Sequence, residues 1–218
     1  MTHVYDVLGD VESMGASLEA AQVFMGDKPW GALQSQYWRM LGRFQLRSGS
    51  FSQAVESFTK AEDEFLRVQN LDKALRVRVQ RAHVHIQNLD FPRAEELLRD
   101  VLTDSPDGSP HAFGEAHLLL GRLARDGRIQ EKPLTCFMTA FDFIARQPVS
   151  ELTWQILFSL AVEFTRRGQM QKGRDGFVKT KAVIEFFLSH FQSSDLREQY
   201  LSTDGRRGAL EECVQASN

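Results

Sequence analysis

Six histidines and two cysteines are the side chains of this 218-residue sequence best suited to metal or nucleophilic chemistry. His83 and His85 lie two apart in a segment of helical periodicity, so they point to different faces and do not readily share a metal. His111 and His117 are no better spaced. Cys136 and Cys213 share no metal or redox spacing. Cys136 sits among Leu134, Phe137 and Met138 and reads as a reduced core thiol. The run Gly205-Arg206-Arg207-Gly208 has neither the preceding strand nor the length of a phosphate-binding loop. No serine occupies a nucleophile elbow, and no carboxylate pair is set apart by its context. These residues assign no catalytic group, no metal ligand, no cofactor and no small-molecule substrate. An enzyme would need catalytic parts from another chain.

What the sequence does specify is helices. Between Tyr37 and Ala61, YWRMLGRFQLRSGSFSQAVESFTKA, the residues Tyr37, Trp38, Leu41, Phe44 and Leu46 form one apolar face. Ser48-Gly49-Ser50 then stops the helix and opens another. The second helix carries Phe51, Ala54, Val55, Phe58 and Ala61 at i, i+3, i+4, i+7 spacing. Two amphipathic helices joined by a few residues form an antiparallel hairpin, which needs neighbours of its own kind to bury its apolar faces.

In Trp38, Leu41, Gly42, Ala54, Phe58 and Ala61 the hairpin resembles a tetratricopeptide repeat. Small residues recur in comparable helix contexts at Gly42, Ala82, Gly121 and Ala161, spacings of 40, 39 and 40. Partner positions follow at Ala94, Leu98 and Val101, then at Phe137 and Ala140, then at Phe177, where Gly173 and Thr180 replace the alanines of the pattern. The later units are degenerate, though the periodicity holds. In the third unit Pro133 stands where the pattern expects alanine, near enough to a helix start to be tolerated. The resemblance implies an all-α fold, a right-handed α-solenoid of antiparallel helix hairpins, with helices longer than in the usual 34-residue unit. Its expected divisions are a half-repeat at 1–28, repeats at 29–69, 70–110, 111–148 and 149–192, and a C-terminal cap at 193–218. In the half-repeat Asp10–Met25 reads as a second helix, with too few residues before it for a full partner. Asp27-Lys28-Pro29 reads as a turn, and 103–110 (TDSPDGSP) as a flexible loop. In the cap, Ser194 or Asp195 opens a short helix, and Leu196, Tyr200, Leu201, Leu210 and Val214 are expected to cover the end of the stack. The tail LREQYL…GRRGALEE is similar to the end of repeat regions in large bacterial signalling proteins.

Composition narrows the functions. Lys+Arg 26 against Asp+Glu 29 gives a net charge of −3, which argues against a general nucleic-acid or membrane-surface protein. No apolar run approaches the roughly 18 residues of a spanning helix. The opening MTHVYDVLGDVESMG has no basic stretch followed by an apolar one. A cytoplasmic protein is expected.

The resemblance also implies where partners bind. The first helix of each hairpin would line a concave groove, placing there Gln36, Arg39 and Arg43, then Arg76, Val79, His83 and Ile86. Glu115, Leu118, Arg122 and Arg125 would follow, then Gln155, Phe158 and Val162. Such a groove is basic toward one end and apolar toward the other, and suits an acidic amphipathic segment or helix. The alternative is that the arginines only solvate their helices and pair with nearby acids. Chaperone-binding family members clamp a C-terminal carboxylate. Arg39 and Arg43 occupy two of the clamp places, but Gln80, Glu115 and Leu119 stand at others, so that activity is not carried over. The expected function is a protein-binding adaptor or scaffold in a signalling or regulatory complex. Its partner would be a peptide, a helix or a small regulatory protein such as the small GTPases some relatives bind. A subunit that self-associates into a homo-oligomer is the second reading. Nucleic-acid binding through the arginines lacks the exposed aromatics that base stacking needs.

Overall fold

The computed structural model describes residues 2–26, 31–103 and 109–217. Among them are twelve helices and no strand: α1 (Thr2–Leu8), α2 (Val11–Met25), α3 (Ala32–Arg47), α4 (Phe51–Arg67), α5 (Leu71–Gln87), α6 (Phe91–Thr103), α7 (Pro110–Arg125), α8 (Pro133–Ile144), α9 (Glu151–Arg166), α10 (Met170–Ser189), α11 (Ser194–Leu201) and α12 (Arg206–Ser217). The expected turn at Asp27-Lys28-Pro29 and most of the loop at 103–110 lie outside the described residues. The fold is all-α, built of consecutive antiparallel helix hairpins. It divides into two compact units, Met1–Ala112 and Phe113–Asn218, with the boundary after the first residues of α7.

The hairpins are made by one repeated turn. Six closures among the described residues share a hydrogen bond from the residue after the turn back over five positions. These are Asp10 to Tyr5, Ser50 to Gln45, Asn70 to Phe65, Asp90 to His85 and Arg128 to Leu123, all at 2.8 Å, and Gln169 to Phe164 at 2.9 Å. This is the Schellman closure, in which the residue before the donor sits in the left-handed region. Glycine supplies that conformation at Gly49 (φ 74°) and Gly127 (φ 69°), but Gln69 (56°) and Leu89 (60°) adopt it with side chains attached.

In the first unit, α3 packs on α4, α4 on α5, and α5 on α6. Ala54, Phe58, Ala61, Phe65, Ala74, Val77 and Val84 form its main core, with Trp38 and Leu46 against it. The expected close crossing occurs at Gly42, where a Cβ would stand 2.8 Å from the Phe58 ring. The lone second helix expected at the N-terminus instead has a partner. The seven-residue α1 packs on α2 and α3, and Met14, Leu18 and Met40 bury their side chains together. A helix this short does not hold by itself; tertiary contacts hold it.

In the second unit, Leu118, Phe137, Ala140, Ile144, Leu152, Ile156 and Leu160 form the core of α7, α8 and α9. Gly121 repeats the crossing made by Gly42, its Cβ position 2.4 Å from Phe137. Ala161 meets Gly176, three residues after Gly173, so α10 lies tight against α9. Pro133 begins α8. Ser150 precedes α9, and its backbone N–H donates to Thr153 Oγ1 at 3.0 Å. At the C-terminus, Ser193 caps α11, not Ser194 or Asp195. The covering residues differ in part from expectation. Tyr200 is buried as expected, but Leu196 and Val214 are exposed, and Ala209 and Cys213 are buried in addition, because the faces of two short helices are set by the surface they meet.

Candidate protein-binding face

The residues expected to line the groove fall in both units, and each unit presents its own set. In the first unit, α3 and α5 bring Gln36, Arg39, Arg43 and Arg76 to one electrostatic neighbourhood. Arg39 Nε donates to Gln36 Oε1 at 3.0 Å. Burial, with Arg43 and Arg76 nearby, lowers its pKa to about 10, against the opposing pull of Asp6. No acid among the described residues forms an ion pair with Arg39.

Its neighbours are committed to acids. The Arg43 guanidinium meets Asp6 Oδ2 at 2.6 Å, and Arg47 Nε meets Asp6 Oδ1 at 2.9 Å. Asp6 is fully buried on α1. Arg76 Nε lies 3.1 Å from Asp72 Oδ1 on the same helix, and Ser109 Oγ donates to that same oxygen at 2.5 Å. Arg43 is therefore a tie to α1, and not the open groove cation expected. Asp6 lies 37 residues before Arg43, and no local pattern announces the pair.

Val79 is fully buried and belongs to the core. The first helix of a hairpin is flanked by neighbours on both sides, so its free stripe is narrower than helical spacing alone suggests; Ala74, Leu75, Val77 and Val84 are also buried on α5. His83 and Ile86 are half-buried near the helix end. His83 contacts Gln87 at 3.5 Å, and His85 Nδ1 contacts Asp90 Oδ2 at 3.0 Å, so the two histidines have separate partners. Among the described residues no group of three His, Cys, Asp or Glu converges as metal ligands. His111 titrates at about 4, lowered by burial and by Arg76.

In the second unit, Arg122 donates to Gln155 Oε1 at 3.1 Å. Burial and Arg125 lower its pKa to about 10, with Glu115 and Asp126 opposing. Arg125 Nε lies 3.5 Å from Asp126. Leu118 is 1% exposed and is a core residue, contrary to its expected place in the groove. Phe158 and Val162 are half-buried and pack against the small core cluster of Ala161, Phe177 and Cys213, with Ala216 also at its edge. The apolar end of the expected groove thus contributes to a core cluster shared by α9, α10 and α12. Both cysteines are reduced and buried.

The fold and these faces define an all-helical repeat-like protein. No protein-family model matches the chain, and no curated protein matches it. Among solved structures it is similar to BtubC (BKLC) from P. vanneervenii, at 17% identity and a TM-score of 0.59, over 85% of this chain and 77% of that one. That likeness shows the fold. No described helix is long and apolar enough to cross a membrane.

Proposed function

We propose that this chain is a protein-binding scaffold of the tetratricopeptide type, taking an acidic segment of another protein on the first unit. The carrying observation is Arg39, a largely buried guanidinium beside Arg43 and Arg76 that donates to the neutral Gln36. Burial and like charges both disfavour its charged form, and a carboxylate placed there would relieve the penalty. Asp6 and Asp72 offset part of the charge of Arg43, Arg47 and Arg76, and Arg39 is the cation left for a partner. The identities at Trp38, Gly42, Ala54, Phe58 and Ala61 support the repeat family. The tail's similarity to bacterial signalling proteins supports a signalling or regulatory complex as the setting.

The test is a pull-down from source lysate with wild type and Arg39→Glu, after matching their helical circular dichroism. Loss of one partner from the variant alone supports the reading. Identical partners for both baits refute it. Arg43→Glu is a poor probe, since it would also break the tie to Asp6.

A second reading is self-association, and a separate observation favours it. Val23, Phe24 and Leu33 are 84%, 75% and 59% exposed around the end of α2 and start of α3. Exposed apolar groups this close in sequence suit a covered surface. Light scattering across a concentration series, repeated with Phe24→Glu, tests it; a concentration-independent monomer removes it.

A further inference from the structure

We propose that the second unit holds a small-molecule site between α8, α9 and α10, and that its ligand is a small zwitterion with an apolar body, of the kind an apolar dipeptide represents. The site uses no residue of the first unit and does not rest on the scaffold reading.

A cavity of about 290 Å³ opens between these three helices, near the lower end of the range of ligand pockets. Each helix turns one face to it. On α9, Leu157, Leu160 and Phe164 stand at i, i+3 and i+7, and on α8, Met138 and Phe141 stand at i and i+3. Leu160 belongs to the core of the unit, and Phe141 and Phe164 pack against that core, so the base is fixed in advance of any ligand. From α10 the wall is completed at Gly176, the glycine that lets this helix lie tight on Ala161. The base of the cavity is apolar.

Its rim is charged, with both signs in equal number. Lys172, Asp175 and Lys179 lie at i, i+3 and i+7 on α10, and Asp142 stands on α8; all four are exposed. Two of them are already engaged. Asp175 accepts from Gln171 Nε2 at 2.9 Å, and Lys172 Nζ lies over the Phe164 ring, 5.4 Å from its centroid. Asp142 and Lys179 form no ion pair or hydrogen bond among the described residues.

One open acid on α8 and one open base on α10, above an apolar base, select the class of ligand. A simple anion would meet Lys179 favourably and Asp142 unfavourably, and a simple cation would do the reverse. A molecule bearing both charges is complementary to both. Its apolar body leaves water against Leu157, Leu160 and Phe164, which supplies the affinity. The exposed charges contribute less energy and set the orientation, ammonium toward α8 and carboxylate toward α10.

The experiment is saturation-transfer NMR on the full chain with the dipeptide leucyl-phenylalanine, its N-acetylated form and its C-terminal amide. The free dipeptide is expected to bind saturably, and each blocked form more weakly by about two- to five-fold, the weight of one exposed ion pair. Lys179→Gln should weaken the free dipeptide by the same factor and leave the amide unchanged. Asp142→Asn should weaken it likewise and leave the acetylated form unchanged. Both positions are exposed, and circular dichroism checks that each variant keeps its helices. Absence of saturable binding at millimolar dipeptide overturns the site. Equal binding of the three forms, sensitivity to only one of the two charges, or indifference to both variants overturns the zwitterion at this rim. None of these results bears on the Arg39 pull-down.

Discussion

Glu62 is the residue whose removal should reveal most about how the first unit is held. It is 5% exposed on α4, and its two oxygens receive Arg78 Nε at 2.7 Å and Arg81 Nη1 at 2.6 Å from α5. Each charge-assisted bond is worth about 1.5–3 kcal/mol. Breaking a buried pair costs about 3–5 kcal/mol when the surviving charge is trapped. Here the arginine side chains retain 20% and 16% exposure, so water recovers part of the loss. Glu62→Ala should therefore destabilise by about 3 kcal/mol, and Glu62→Gln, which keeps shape and one acceptor, by about half that. The assay is urea unfolding followed by far-ultraviolet circular dichroism at pH 7, in low salt and in molar sodium chloride. The difference should survive salt, since a buried pair is poorly screened. A loss below about 0.5 kcal/mol for Glu62→Ala, the size of an ordinary surface substitution, would refute a buried tie between α4 and α5. Abolition of the loss by salt would refute it equally.

Leu89 holds a left-handed turn position at φ 60° while 73% exposed, so Leu89→Gly should stabilise by about 0.5–1 kcal/mol in the same unfolding assay. Gly121→Ala places a methyl 2.4 Å from Phe137, which is fully buried. The overpacking should outweigh the gain in helix propensity and cost about 1–2 kcal/mol, read as a lower urea midpoint. His111, lowered to about 4 by burial, binds fewer protons folded than unfolded between that value and its ordinary range. Stability should fall as pH drops through this window, by up to about 3 kcal/mol from this residue, and His111→Phe should flatten the profile. His117, lowered by burial as well, adds a smaller slope of the same sign.

Much of the fold is legible in local pattern. The Gly42 and Gly121 crossings, the closures at Gly49, Gly127 and Gly168, and Asp10–Met25 as a cap and helix are all consequences of residue type at short range. The face is less legible, for physical reasons. Val79 and Leu118 satisfy a helical-wheel rule for groove positions, but a wheel does not record how many neighbours surround a helix. Arg43 and Arg47 look like solvated cations until α1 is folded onto them, because the acid that binds them lies far away in sequence. Phe158 and Val162 share one face of α9, as helical spacing requires. That Phe177 and Cys213 would join Ala161 in the cluster they pack against follows from no periodicity in any of these stretches.

The shared closure has a consequence for the chain as a piece of machinery. Gly49 and Leu89 are 40 residues apart and hold the same φ sign and the same five-residue return bond. The stretch between them, α4 and α5, begins and ends on interchangeable connectors. A chain built this way has standard couplings, and a hairpin is a cassette that can be doubled or excised without redesigning a joint. Length can then change by a whole hairpin without a new kind of turn.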